Sequence, residues 1–368
     1  MKQAILSFLV ALLSCAAQGQ NLKDTAVNIR EVHQIPALAY AVVTPDSILE
    51  LNIIGYNRVD MVEEANPVAI SDYFHIGSNT KAVTGFVAAY LVENGKIEWA
   101  TKFFDLFPAW KAVSNPAFHD MTLADLLSHR TGIKPYTSGP EYRQLPHFRG
   151  TRSEQRKQFV RYVLQEEPIK NLGKAYNYSN AGYSAAALML EEVTQRSWEE
   201  LIDEILNQKL QLNYRFGWPN SYDSKQPWGH WVEKDTLIAL SPVAGYNLRL
   251  GEPAGDISMP LVDYARFIQL NLQGLTGRNN ILKAETYEFL HYGMQDYSIG
   301  WGNVKTEKRQ LSEQVGSAGT FYCYALLDKN KKLGYIVICN SAAAKAVEGA
   351  LLLRDKMIED YGKRTQKL

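Results

Sequence analysis

The stretch Tyr73–Lys96, YFHIGSNTKAVTGFVAAYLVENGK, decides how the rest of the chain is read. Phe74 and Ile76 alternate with their neighbours, the period of a strand or extended entry, and Gly77 breaks that pattern. From Lys81 to Asn94 the apolar residues recur at helical spacing, with Gly95 placed as a C-terminal cap. Ser78 therefore falls at or just before the first helical turn, and Lys81, three residues on, shares its face. An ammonium group is out of place on such an apolar face, and two explanations compete. In the plainer one, Ser78 is a helix N-cap and Lys81 carries its charge out to solvent along its stem. In the other, Ser78 is a nucleophile and Lys81, deprotonated by burial, accepts its proton. The helix N-terminus would then offer backbone N–H groups to a developing oxyanion. The pattern S-x-x-K occurs once, and about one chance match is expected in a chain of this length, so this stretch alone leaves both explanations open.

Upstream, MKQAILSFLVALLSCAAQGQ has an early lysine, an apolar run from Ala4 to Leu13 and then small residues. That layout predicts a signal peptide over residues 1–19, cleaved after Gly19. The run is too short for a transmembrane helix, which needs about 20 residues. A second reading takes LLSC as a lipoprotein signal with Cys15 as the lipidated residue. Either way the expectation is an exported protein, periplasmic or secreted, with no transmembrane span. Its 39 basic and 39 acidic side chains balance, which gives nucleic acid no footprint.

LKDTAVNIREVHQI reads as an amphipathic helix, and ALAYAVVT and ILELNIIGYN as a hairpin around PDS. From Ser78 to about Met294 the periodicity is mainly helical. After DYSIGWG it returns to strands, QVGSAGTFYCYALLD and KLGYIVICN, before a closing helix. The expected architecture is α+β: an antiparallel sheet with flanking helices from both termini (about 20–77 and 295–368) and an inserted all-α lobe (about 78–294). A cleft is expected where the lobes meet. Cys323 and Cys339 flank the turn DKNKKLG at positions that could face one another, although two buried small apolar residues are the plainer reading.

Two further segments bear on Ser78. GKAYNYSNAGYSAAALML contains the chain's single Y-x-N, Tyr178-Ser179-Asn180, on a polar loop entering an apolar helix. A tyrosine beside a cationic lysine can have a lowered pKa and move protons, and Asn180 can donate a hydrogen bond without competing for them. By itself the segment also fits an ordinary turn with Asn180 as an N-cap. The small residues from Gly316 to Gly319 make a strand edge that a substrate can approach closely. S-x-x-K, then Y-x-N about a hundred residues on, then a glycine-rich strand resembles the class C β-lactamase-like serine hydrolases, a group that also holds penicillin-binding carboxypeptidases, D-amino-acid peptidases and esterases. FHIGSNTKAVTG, TLADLLSHRTGI, YNYSNAGY, EPAGDISMPLVDYARF and YSIGWG resemble further segments of that family, in order along residues 20–368. The resemblance implies a β-lactamase/transpeptidase-like fold and an acyl-enzyme mechanism without metal or cofactor. It makes Ser78 the acylated nucleophile, Lys81 the general base, alone or with Tyr178, and Tyr178 the proton shuttle to the leaving group. It makes Asn180 an orienting group for substrate or for Lys81, and the N–H groups of Ser78 and Ser317 the oxyanion hole.

The third motif departs from the pattern. Where the lactamases carry Lys-x-Gly and many relatives His-x-Gly, this chain has Gln314-Val315-Gly316. The resemblance implies that the missing charge helps bind the carboxylate of penicillins or peptidyl-D-Ala termini. A charged hydrogen bond contributes about 1.5–3 kcal/mol against about 1 for a neutral one. The expectation is therefore an esterase- or peptidase-type hydrolase acting on an ester, amide or lactam, with inefficient β-lactam turnover. Arg249 and Arg309 are candidates to restore the charge. The alternative, motivated by Gln314, is a non-catalytic relative that binds a cell-wall peptide or a protein partner. No G-x-S-x-G elbow and no H-E-x-x-H is present. His129 is expected to bond backbone at a helix end, and His75 to point away from Phe74 and Ile76.

Overall fold

The computed structural model describes residues 22–61, 66–137, 139–169, 174–244 and 248–363. The expected signal segment, with its lipidation alternative at Cys15, lies outside the described residues. Ala37–Val43 (β1) and Ile48–Gly55 (β2) form the early hairpin, followed by Tyr73–His75 (β3). The middle of the chain supplies Arg215–Phe216 (β4), His230–Glu233 (β5), Thr236–Ala239 (β6) and Ile257–Pro260 (β7). Gly302–Lys305 (β8), Gln310–Ser317 (β9), Tyr322–Asp328 (β10) and Leu333–Cys339 (β11) come last. Six of these make one antiparallel sheet in the order β2-β1-β11-β10-β9-β8, so the first strand pairs with the last.

The strict two-residue alternation of side chains explains why β1 and β11 are buried at every position. Ala37, Ala39, Ala41 and Val43 join Cys323, Ala325, Ile336 and Ile338 on the face that packs against the helices of the middle segment. The small side chains of β1 let the helix Leu261–Leu275 lie close against the sheet. Leu38, Tyr40 and Val42 join Tyr322, Tyr324, Tyr335 and Val337 on the other face. The helix of residues 22–32 and the helix Ala344–Gly362 cover that face, through Leu22 and Ala26 from one and Leu353 and Met357 from the other.

The β10–β11 register pairs Tyr322 with Cys339 and Cys323 with Ile338. The two cysteines are therefore one residue out of step and point to opposite faces, which corrects the expectation that they could face one another. Both are buried free thiols.

The middle segment is mainly helical, as its periodicity suggests, but it also folds into short strands. β3, β7 and β4 form a small antiparallel sheet, and β5 and β6 form a hairpin. Lys234 and Asp235 turn that hairpin with φ of 47° and 64°. Such two-residue turns are usually marked by Asn-Gly or Asp-Gly, so a Lys-Asp turn carries little signal in the sequence. Among the described residues no helix is long and apolar enough to cross a membrane.

The helix Thr80–Glu93 is buried around almost its whole circumference, which is why its apolar residues are not confined to one stripe. Gly300, in YSIGWG, packs on its back with φ of 80°. A Cβ there would lie 2.6 Å from Lys81 O, so both the backbone region and the space select glycine. This contact fixes the turn of helix that carries Lys81.

Candidate active site

Ser78 lies in a 3-10 turn, Gly77–Asn79, and the helix that follows has Asn79 at its N-cap without any side-chain cap bond. The hydroxyl of Ser78 is thus not spent on capping. Asn79 anchors the turn: its amide donates to Ile76 O at 3.2 Å and to Cys323 O at 3.1 Å, and Tyr264 OH donates to its Oδ1 at 2.6 Å. Ser78 Oγ faces two groups, Tyr178 OH at 2.6 Å and Lys81 Nζ at 3.2 Å.

Lys81 is fully buried, so it does not reach solvent. Burial holds its amine well below the usual lysine range. Its other two neighbours are Asn180 Oδ1 at 2.8 Å and Ala254 O at 2.7 Å. A backbone carbonyl only accepts. The Asn180 amide group is oriented by donating to Tyr136 O at 3.1 Å, which leaves its oxygen towards Lys81. A neutral amine has two N–H groups and one lone pair. In that form the two acceptors can take both N–H groups, which leaves the lone pair for Ser78 Oγ. Asn180 therefore accepts from Lys81 rather than donating, and its one donor contact is spent on Tyr136, so it orients the lysine.

Tyr178 departs from expectation in a similar way. A lowered pKa was expected from a cationic neighbour, whereas burial pushes its phenol up. Lys81 Nζ does lie 4.5 Å from its ring centroid, but desolvation outweighs what the neighbours supply. Burial thus biases the pair towards amine and phenol, with a short hydrogen bond between Tyr178 OH and Ser78 Oγ.

The third motif packs directly under this turn. A Cβ on Gly316 would fall 2.0 Å from Ile76 O and 2.9 Å from Ser78 N, so only glycine lets β9 come this close. On the other side, a Cβ on Gly77 would fall 2.7 Å from Ser317 N. The backbones of Ser78 and Ser317 therefore lie close together where β9 meets the turn. β8 pairs with Gln310 to Glu313 only, so it stops short of Gly316 and Ser317 on β9.

Gln314 is held by the turn that carries Ser78. Its Nε2 donates to Ser78 O at 3.1 Å and to Tyr297 OH at 3.0 Å, and its oxygen accepts from Val315 N at 3.2 Å. The side chain ties β9 to the nucleophile's own carbonyl and has no spare donor in this arrangement. Together with Tyr178 it walls a pocket of about 330 Å³.

His129 bonds backbone as expected: its Nδ1 accepts from Ser179 N at 3.1 Å. Its ring lies 4.5 Å from that of Tyr178 and 4.8 Å from that of Tyr297. His75 is buried against Trp218 with its Nδ1 accepting from Gly77 N, so it braces the turn. Arg249 bonds Gln155 Oε1 at 2.5 Å and Arg309 sits in the β8–β9 turn; neither lines the pocket beside Tyr178. Two participants escape sequence reasoning. Ala254 acts through a carbonyl that any residue would carry, and Tyr297 opens the YSIGWG segment, whose place beside Gln314 only the fold reveals.

The sequence matches the profile described as Beta-lactamase over residues 22–356. It is 24% identical to a β-lactamase of Yersinia enterocolitica over 287 residues, covering 76% of this chain and 68% of that one. It is 21% identical to Protein flp of Staphylococcus aureus (strain MW2) over 312 residues, covering 83% of this chain but only 60% of that relative's length. Its fold superposes on a class C β-lactamase from Rhodobacter sphaeroides with a TM-score of 0.71 at 17% identity, covering 92% of this chain and 99% of that one.

Proposed function

The chain belongs to the β-lactamase family of serine hydrolases, and from that premise we propose that it hydrolyses esters or amides without a carboxylate beside the scissile bond, through an acyl-Ser78 intermediate. The observation that carries the reading is the contact of the buried Lys81 amine with Ser78 Oγ. A buried neutral amine, with both N–H groups held by Asn180 Oδ1 and Ala254 O, has Ser78 Oγ as its remaining neighbour at 3.2 Å. That is the requirement for a general base on a serine nucleophile.

In this mechanism Ser78 Oγ attacks the carbonyl carbon as its proton passes to Lys81. The new C–O bond puts negative charge on the carbonyl oxygen, which the amides of Ser78 and Ser317 receive. When the tetrahedral species collapses, Tyr178 gives its proton to the leaving oxygen or nitrogen and regains one from Lys81. Water then repeats the sequence on the acyl-enzyme, with Tyr178 and Lys81 taking its proton and Ser78 leaving. The buried phenol suits this relay, because it can pass a proton without becoming a free phenolate. Gln314 brings no charge to the site, which disfavours the carboxylates of penicillins and peptidyl-D-Ala termini. We also propose that residues 1–19 direct export, which the N-terminal sequence and mass of the protein from a periplasmic or culture fraction would test.

The test of the hydrolase is pre-steady-state release of nitrophenol from p-nitrophenyl acetate, with intact-protein mass read in parallel on wild type and Ser78→Ala. A stoichiometric burst with an acetyl adduct is expected, and both should vanish in the variant. No burst and no adduct would point instead to a binding protein, and a burst retained in Ser78→Ala would move the nucleophile elsewhere.

A further inference from the structure

The pocket of about 330 Å³ beside the serine is walled by the rings of Tyr176, Tyr178 and Tyr297, by the amide of Gln314 and by two carboxylates, Asp296 and Glu313. No Lys, Arg or His lines it. The guanidinium of Arg130 is taken up by the carbonyls of Ser128, Gln295 and Tyr297. Tyr178 belongs both to the pocket wall and to the Ser78 contact, at 2.6 Å. The group that protonates a leaving atom must stand on the leaving-group side, so a pocket behind Tyr178 receives the leaving group.

From these observations we infer that the pocket holds a substituted ammonium group, so that the preferred substrates are esters or amides whose alcohol or amine portion carries a fixed positive charge. The inference rests on the hydrolase reading above and adds the substrate class. Tyrosine faces attract ammonium groups through their quadrupole, the more so when methyl groups spread the charge and lower its hydration. Exposed carboxylates contribute modestly one at a time, and Glu313 already accepts from Tyr324 OH, so the tyrosine faces carry most of the attraction and the two acids add to it without an opposing charge in the wall. The volume suits a head group of a few heavy atoms and not a bulky ring system. The same wall repels a carboxylate, which complements the neutral Gln314 beside it. In turnover the acyl group passes to Ser78 Oγ, the C–O bond to the aminoalcohol breaks, and the alcohol leaves with the proton from Tyr178.

The discriminating pair is acetylcholine and 3,3-dimethylbutyl acetate, which share shape and differ in charge, compared by acid release at constant pH on wild-type protein. A preference of about tenfold in kcat/KM for the cation is expected, and in the variant carrying both Asp296→Asn and Glu313→Gln the ratio should fall below about threefold. A wild-type ratio near one, or a faster neutral ester, overturns the inference. Binding of tetramethylammonium chloride by calorimetry, against sodium chloride, gives a readout independent of turnover: saturable heat that weakens in the double variant supports the pocket, and no heat beyond dilution counts against it. If p-nitrophenyl acetate leaves an adduct on Ser78 but the charge preference is absent, the hydrolase stands and the ammonium pocket falls. If tetramethylammonium binds but no adduct forms, the pocket stands and the hydrolase falls.

Discussion

Lys81 and Arg156 are both fully buried cations, and the fold treats them in opposite ways. Arg156, on the helix Arg152–Val163, donates to Glu191 Oε1 at 3.2 Å and to Glu199 Oε1 at 2.7 Å. Burial opposes its charge, and the surrounding carboxylates more than offset that opposition, so the guanidinium is held above its ordinary range. Lys81 meets a hydroxyl, a side-chain amide oxygen, a backbone carbonyl and the faces of two tyrosines, with no carboxylate among its described partners. Desolvation prevails there, and the amine is held well below the usual lysine range. Partner chemistry, more than depth, decides whether a buried cation keeps its proton. Residue choice agrees: arginine cannot shed its charge inside a protein, whereas lysine can.

The largest effect should come from removing the neutral base. Lys81→Met keeps the bulk of the side chain and should lower kcat/KM for p-nitrophenyl acetate by about 10³–10⁴-fold. Because two acceptors lose a donor, stability should fall by only about 1–2 kcal/mol in urea unfolding. Activity within tenfold of wild type would break the comparison at its first limb. Arg156→Met should do the reverse. It strands two buried or half-buried carboxylates and should cost about 3–5 kcal/mol of stability, with the burst amplitude per folded molecule retained. A loss below about 1 kcal/mol would mean that Ser153 and the Trp198 amide, which also bond Glu191, are sufficient without it. Asn180→Asp would sharpen the contrast by giving Lys81 the kind of partner Arg156 has. A carboxylate at 2.8 Å in place of Asn180 Oδ1 favours the ammonium form. The acid limb of the pH–rate profile reflects deprotonation of Lys81, so it should move to higher pH, by about 1–3 units. An unmoved limb would show that the limb belongs to another group.

The same contrast explains what the sequence could and could not convey. Ser78 and Lys81 were legible because three residues on a helix place two side chains on one face, and an apolar surround makes a lysine conspicuous. The sheet from both termini was legible from strand periodicity at the two ends of the chain. The lowering of the Lys81 pKa was not, because it follows from complete burial under segments distant in the chain, Ala254 among them 173 residues away. The direction of the Tyr178 shift was misjudged for the same reason: its burial outweighs the effect expected of a charged neighbour. Gln314 was noticed as a missing charge, but its ties to Ser78 O and Tyr297 OH needed the fold. The β5–β6 hairpin stayed hidden because Lys234 and Asp235 make a turn that their residue types do not advertise.

The pairing of β1 with β11 has a kinetic consequence. Leu38 lies opposite Cys339 and Val43 opposite Gly334, so the centre of the sheet joins segments about 300 residues apart in the chain. Contacts of such long range form late, since the intervening chain must be ordered or looped before they bring any gain. As a nascent chain emerges, β1 and β2 can make only a two-stranded ribbon, which is marginal alone. Ser78, Lys81, Tyr178 and Asn180 are all synthesised before β9, β10 and β11 exist to brace them. A chain interrupted before Leu333 would carry Ser78, Lys81, Tyr178 and Asn180 and still lack the strand that joins β1 to β10.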